Sequence, residues 1–184
     1  MKKLSRALLI IISIFIITGC GNMMNTPTKK VEEFLSKYQT LDKKVLDQLD
    51  NVMEDSDDLT KDQKNEYHEL MKKQYQNLSY KIKEETIDGD NAVVITEIEV
   101  LDYGKAISES ETYLANNREE FTSDTIENTI DKNKFLDYKL KAMSKVKDKV
   151  TYTINFRLTK DKDNDWKLTD ISDIDRLKLH GLYY

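Results

Sequence analysis

The chain has 184 residues, with 29 lysine and arginine side chains against 34 acidic ones, and one cysteine. The length suits one domain, and a lone cysteine excludes an internal disulfide. The acidic balance, without a basic stripe for phosphates, argues against nucleic acid as a partner.

The first segment, residues 1–19, has the pattern of an export signal. It begins with Lys2, Lys3 and Arg6 and continues with an apolar run, residues 7–17, interrupted only by Ser13. A membrane-spanning helix needs roughly 20 apolar residues, so this run is too short to be a stable anchor. A cationic start, a short apolar run and a small residue before the cut are typical of a secretory signal peptide.

The leader ends at Ile17, Thr18, Gly19 and Cys20, which resemble the lipobox of bacterial lipoproteins. The resemblance implies that the Cys20 thiol receives a diacylglycerol and that a peptidase cuts just before it. Two buried acyl chains, at about 0.8 kcal/mol per methylene, hold a protein firmly where one chain is marginal. We therefore expect residues 20–25 to be a lipidated cysteine and a short spacer. The domain would then lie on the extracytoplasmic face of the cell membrane. The alternative is that Cys20 is a buried or spare thiol.

Three helices are predicted after this spacer. Thr26 is a favourable N-cap and Pro27 fits the first helical position. An acidic loop, residues 54–58, separates the second helix from the third, which begins after the capping residue Thr60. The residues expected to face inward are Val31, Phe34, Leu35 and Tyr38 in the first helix, Val45, Leu46, Leu49, Val52 and Met53 in the second, and Tyr67, Leu70, Met71, Tyr75 and Leu78 in the third.

The apolar spacing then changes from helix to strand. Residues 80–87 and 92–100 favour strands and flank the turn sequence Asp-Gly-Asp-Asn of residues 88–91, so they predict an antiparallel hairpin. Helical spacing returns over residues 103–146. It predicts two helices that join near residues 122–123, with Ile126 and Ile130 among the inward positions of the second.

A second hairpin is predicted near the C-terminus. Apolar residues alternate over residues 150–158, a turn covers residues 161–165, and a return strand covers residues 166–171. The final segment, residues 177–184, is apolar and aromatic, and we expect it to dock on the domain.

This order of elements resembles the cystatin-like, nuclear transport factor two-like domains of many Gram-positive lipoproteins of unknown function. The resemblance covers residues 27–174. It implies an α+β fold in which N-terminal helices pack on a curved antiparallel sheet, with a helical insertion between two hairpins and a cone-shaped pocket. Residues 26–184 would form this single extracytoplasmic domain. The residues that carry the resemblance are Thr26, Pro27, Val31, Phe34 and Leu35 at the start, and residues 152–158 with Asp165, Trp166, Lys167 and Leu168 at the end.

Aromatic residues form the candidate ligand-binding set. Cavities for small ligands are usually built from aromatic walls with a few polar tips. Ordinary packing in the core and at its boundary is the alternative role for the same side chains. The candidates are Tyr38, Tyr67, Tyr75, Tyr152 and Trp166.

No catalytic residue, metal site or cofactor is predicted. Residues 161–165 carry acidic groups at alternate positions, but an EF-hand would need Gly at the sixth position and Glu at the twelfth, where Trp166 and Ser172 stand. A solvated turn is therefore expected there. His68 and His180 are far apart in the sequence, which makes a histidine-based site a poor interpretation, and His68 is expected at the surface or its boundary.

The sequence favours a membrane-tethered binding or interaction module without catalysis, for an unknown protein or small-molecule ligand. A small pocket enzyme of the isomerase or dehydratase kind is an alternative that rests on fold analogy alone. A deep pocket holding His68, or a buried aspartate beside a tyrosine, would favour it. An envelope accessory or stress-related protein is a further alternative, which an exposed apolar patch would favour.

Overall fold

The computed structural model describes residues 25–54, 59–123 and 129–184. Within these residues, helices precede and separate two hairpins, which confirms the predicted α+β class. The elements are α1 Pro27–Gln39, α2 Lys43–Glu54, α3 Lys61–Asn77, β1 Ser79–Asp88, β2 Asn91–Leu101, α4 Tyr103–Asn116, a 3-10 turn Arg118–Phe121, α5 Lys132–Ser144, β3 Lys149–Lys160, β4 Trp166–Leu168 and α6 Asp173–Leu179. None of the helices in these ranges is long and apolar enough to cross a membrane.

Several sequence predictions lie outside the described residues. They are the leader, the lipidation site Cys20, most of the acidic loop at 54–58, and Ile126. The boundaries proposed for leader, spacer and domain stay predictions.

The sheet is open and antiparallel, with the strand order β1-β2-β3-β4. Its two long central strands pair in register, with Val94 opposite Phe156 and Ile98 opposite Tyr152. Alternate side chains of a strand point to the same face, so Val94, Ile98 and Phe156 share one buried face. The helices cover that face.

Helix α1 lies across this face and forms the main core with it. The Thr26 hydroxyl accepts a hydrogen bond from the Lys29 amide at 3.1 Å, which caps the helix as predicted. Val31 and Leu35 are completely buried against the sheet. At the far end of the helix, the Gln39 side chain donates to the Leu78 carbonyl at 2.9 Å.

A second core lies among α2, α3, α4 and α5. Met71 of α3, Tyr103 of α4 and Leu140 of α5 are each almost fully buried in it. The Tyr103 hydroxyl donates to the Leu70 carbonyl at 3.1 Å, which satisfies the polar tip of a buried aromatic ring.

Three predictions of local structure were wrong. Val52 is 57% exposed, because the buried stripe of α2 runs through positions four residues apart, 45, 49 and 53, and leaves Val52 at its edge. The last strand was predicted to reach residue 171 but ends at Leu168. The Thr169 amide still donates to the Arg157 carbonyl, and the chain then turns toward α6. Ile130 was predicted to face inward from a helix but pairs with Thr122 in an isolated β-bridge. The helix α5 begins only after Asp131, because the Asp131 carboxylate caps it.

Replacing Gln63 with alanine should lower the free energy of unfolding by about 2 kcal/mol. Gln63 is buried and completes a capping box with Thr60 at the start of α3. Its side-chain amide also donates to the Asp137 carboxylate at 2.7 Å, so it ties α3 to α5. Urea unfolding would measure the loss. Gln76→Ala, at an exposed position of the same helix, should change stability little, and equal effects of the two substitutions would contradict this role.

Candidate functional site

A cavity of about 610 Å³ lies between the first three helices, the segment after β4, and α6. It opens to solvent on one side. Its lining is mixed, with aromatic and aliphatic walls and a smaller number of polar tips. The lining residues are Phe34, Tyr38, Val45, Gln48, Leu49, Asn51, Val52, Tyr67, Met71, Tyr75, Leu168, Thr169, Asp170, Ile171, Arg176, Leu179 and His180.

The aromatic wall is a chain of ring contacts, of which two are edge-to-face and the third is tilted. Phe34 and Tyr38, one helical turn apart on α1, have ring centroids 5.2 Å apart. Tyr38 meets Tyr75 of α3 at 5.0 Å, and Tyr75 meets the imidazole of His180 at 5.5 Å. Tyr67 precedes Tyr75 by two turns of α3 and lines the same cavity. Inclined ring contacts of this kind fix the orientation of Phe34, Tyr38, Tyr75 and His180.

His180 ends α6 and places an imidazole in the cavity. Its Nε2 atom lies 3.5 Å from the Tyr75 hydroxyl oxygen. Burial of the ring, assisted by the nearby positive charge of Arg176, lowers the pKa of His180 to about 4. The imidazole is therefore neutral at pH 7 and offers one hydrogen-bond donor and one acceptor.

The tyrosine hydroxyls of the cavity stay protonated. Burial raises the pKa of Tyr38, Tyr67 and Tyr75, and for Tyr38 the charge of Arg176 partly opposes the shift. Each hydroxyl can thus donate a hydrogen bond across the physiological pH range. The charged groups among the described lining residues are Arg176 and Asp170.

Arg176 is held at the edge of the cavity by the first residue of its own helix and by the segment just before that helix. Its guanidinium donates to the Ile171 carbonyl at 3.0 Å and lies 3.6 Å from the carboxylate of Asp173. The Asp173 side chain is almost fully exposed, so water weakens this ion pair. Much of the guanidinium charge therefore remains available to a group that enters the cavity.

The position of His180 depends on the buried amide of Gln74. The Gln74 side chain donates to the carbonyls of His180 and Leu101, at 2.8 and 2.9 Å, and accepts from the Leu101 amide at 2.8 Å. Gly181 follows with φ of +66°, a left-handed conformation, and its carbonyl accepts from the Gly104 amide at 2.7 Å. These contacts attach the C-terminal segment to α3, to the end of β2 and to α4, so the docking predicted for this segment is observed.

The structure brings together Tyr38, Tyr67 and Tyr75 of the predicted ligand-binding set. Tyr152 lies elsewhere, where its hydroxyl donates to the Tyr183 carbonyl at 2.9 Å. Trp166 is buried in the main core, with the Lys160 ammonium 5.1 Å from its ring centroid. These two side chains do not line the cavity because they lie in the sheet, at positions away from the junction of the helices.

Sequence reasoning missed His180 and Arg176 as lining residues. His180 lies in the C-terminal segment of residues 177–184, and Arg176 directly precedes that segment. The one available signal was the apolar character of the segment, which predicts docking but not the place of docking. His68, by contrast, lies on α3 near α2, where its Nε2 atom is 2.9 Å from the Asp50 carboxylate and its side chain is 25% exposed.

The predicted turn at residues 161–165 is organised by its own side chain. The Asp161 carboxylate accepts hydrogen bonds from the amides of Asp163 and Asp165, at 2.9 and 3.0 Å. These bonds lower the pKa of Asp161. A carboxylate that caps its own turn in this way is a structural feature of the hairpin.

The chain is similar to one solved structure, at low sequence identity. No family model matches the chain, and no curated protein matches it. The crystal structure of ycdA, a candidate lipoprotein from Bacillus subtilis subsp. subtilis strain 168, is similar with a TM-score of 0.40 and 13% sequence identity. The alignment covers 97% of this chain and 55% of that one, so the chain spans about half the length of that protein. The resemblance to nuclear transport factor two-like domains finds no support among these comparisons and stays a prediction.

Proposed function

We propose that this protein is a lipid-anchored extracytoplasmic protein that binds a small amphipathic ligand in the cavity between α1, α2, α3 and α6. The anchor is supported by the short apolar leader and the residues Ile17 to Cys20, with the chemistry that a lipobox implies. The binding role is supported by one observation, which is the open, aromatic-walled cavity.

The size and lining of the cavity define the ligand class. Ligand sites commonly enclose about 300 to 1,000 Å³ and combine apolar walls with a few polar groups that orient the ligand, and this cavity of about 610 Å³ falls within that range. Its hydroxyl donors and the guanidinium of Arg176 favour a hydrogen-bond acceptor or an anionic group on the ligand. We therefore propose a ligand with an apolar or aromatic body and one such group.

The enzyme alternative would use the contact between His180 and Tyr75 for acid–base chemistry. A general base works best when its pKa lies near the working pH. Burial lowers the pKa of His180 to about 4, which makes it a weak base at neutral pH. The lowered pKa of His180 therefore favours a binding role for this cavity over acid–base catalysis. The envelope-accessory alternative stays a prediction.

The anchor is tested by replacing Cys20 with alanine in the full chain, expressed in a bacterium that lipidates proteins. We expect the unmodified protein to sediment with membranes and the variant to lose this association, because the acyl chains can no longer be attached. Asn22→Ala, two residues beyond the cysteine, should remain with the membranes. Retention of Cys20→Ala at the membrane would contradict the anchor.

The ligand class is tested with anilinonaphthalene sulfonate, a fluorescent probe with an aromatic body and an anionic group. We expect saturable binding that weakens about fivefold in Arg176→Gln, since a partly exposed ion pair contributes up to about 1 kcal/mol. Arg118→Gln is the matched control, because Arg118 is exposed and does not line the cavity. Equal affinity of the two variants would show that the probe binds elsewhere.

A further inference from the structure

The first described residue of the chain is fastened to the turn of the second hairpin. The Asn25 side chain donates to the Asn164 carbonyl at 3.0 Å and accepts from the Trp166 amide at 3.1 Å. Two residues into α1, the Thr28 amide donates to the Glu85 carboxylate of β1 at 2.8 Å. The start of the domain is thus fixed to the sheet.

Both hairpin turns lie at this same end of the sheet. The first residue of β2, Asn91, pairs with Thr159 near the end of β3. The Lys160 amide also donates to the Asp90 carbonyl at 2.9 Å, which joins the two turns. We call this region, residues 88–91 and 161–165, the hairpin end. The opposite end of the sheet is where Leu101 pairs with Lys149. The two ends are separated by the length of β3, which has 12 residues with a rise of roughly 3.3 Å each.

Little chain is available between the proposed lipid and the hairpin end. Asn25 follows Cys20 by five positions. A fully extended chain spans at most about 3.6 Å per residue. The Cα atom of Asn25 can therefore lie no more than about 18 Å from that of the acylated cysteine, which is about half the length of β3.

We infer that the hairpin end is the membrane-proximal face of the anchored protein and that the opposite end of the sheet points away from the lipid surface. This inference rests on the lipid anchor of the proposed function. Attraction to anionic lipids would not create this orientation, since acidic side chains outnumber lysines at the hairpin end. The charged residues there are Asp88, Asp90, Asp161, Asp163 and Asp165, with Lys162. The short tether sets the orientation, because it is attached to one end of the sheet only.

The orientation also places the cavity. Helix α1 starts at the hairpin end and finishes near Leu78, at the other end of the sheet. Tyr38 lies eleven residues after Pro27, which corresponds to about 16 Å along the helix. The cavity is thus displaced from the bilayer toward the aqueous side, where a dissolved ligand can enter it.

The test uses two exposed lysines at opposite ends of β3. Lys162 lies in the hairpin turn and Lys147 lies just before the strand. Acylation occupies the single cysteine of the chain, so Lys162→Cys or Lys147→Cys would provide a unique thiol for a nitroxide spin label. The lipidated protein would be bound to phosphatidylcholine–phosphatidylglycerol vesicles that carry a nickel-chelating lipid. The nickel should enhance relaxation of the label severalfold more at position 162 than at position 147.

The two proposals fail in different ways. Equal enhancement at both positions, or greater enhancement at position 147, in protein that floats with the vesicles would overturn the orientation and leave the anchor intact. Failure of the protein with an intact Cys20 to float with vesicles would overturn both. Flotation of the two labelled variants and of the parent protein, measured in parallel, separates these results.

Discussion

Substitution of Gly181 by alanine is expected to lower the free energy of unfolding by about 3 to 4 kcal/mol and to release the C-terminal segment. The φ of Gly181 is +66°, where a side chain costs about 1 kcal/mol or more. An added Cβ would also overlap the side-chain nitrogen of Gln74 and the carbonyl of Leu101. These two groups are hydrogen-bonded to each other and buried, so one of them must move and lose its partner.

Gly89→Ala is a matched control for this prediction. Gly89 has a similar φ of +58° in the first hairpin turn, but a Cβ there would meet nothing within 4 Å. This substitution should therefore lower the free energy of unfolding only by the cost of a side chain at positive φ, about 1 kcal/mol. Chemical unfolding of both variants would measure the difference. Equal costs would mean that the C-terminal segment is not packed against Gln74 as described.

Release of this segment should also abolish binding of the fluorescent probe. Leu179 and His180 line the cavity and belong to this segment, and Arg176, which also lines it, precedes them in α6. Loss of docking removes one wall and its cation together. A Gly181→Ala protein that stays folded and still binds the probe with unchanged affinity would contradict the proposed site.

Acidification should destabilise the protein by about 3 kcal/mol between pH 7 and pH 4 through His180 alone. Burial lowers the pKa of His180 to about 4 in the folded protein, below the ordinary histidine pKa of 6.5 that applies to the unfolded chain. Between these two values the unfolded chain binds the proton and the folded chain does not, so stability falls as the pH falls. The part of the free energy of unfolding that depends on a neutral His180 is fully present above pH 6.5 and is lost by about pH 4.

Urea unfolding of the parent protein and of His180→Gln at pH 7 and pH 4 would check this prediction. Carboxylates also titrate in this window, so the informative quantity is the difference between the two proteins. The variant should lose about 3 kcal/mol less than the parent on acidification. His68→Gln serves as the comparison, since His68 lies outside the cavity lining. Identical pH dependence of His180→Gln and parent protein would rule out burial of a neutral imidazole.

Local sequence patterns predicted most elements of the fold. Thr26 and Pro27 fix the start of α1, and the turn sequence of residues 88–91 closes the first hairpin, because both signals act over a few neighbouring residues. The alternation over residues 150–158 likewise predicted β3 and its buried face. The same patterns did not predict the early end of β4, because its length depends on where α6 docks.

The sequence by itself predicted the α+β class, most inward positions of the first helices, and a leader with a proposed lipid site at Cys20, since these follow from spacing, capping and local chemistry. Only the tertiary structure decided which aromatic residues share a cavity. Tyr38, Tyr75 and His180 come from three distant segments, and their meeting depends on a buried amide, Gln74, that holds the carbonyl of His180. Contacts between distant segments are set by packing of the whole chain, and no short-range pattern encodes them.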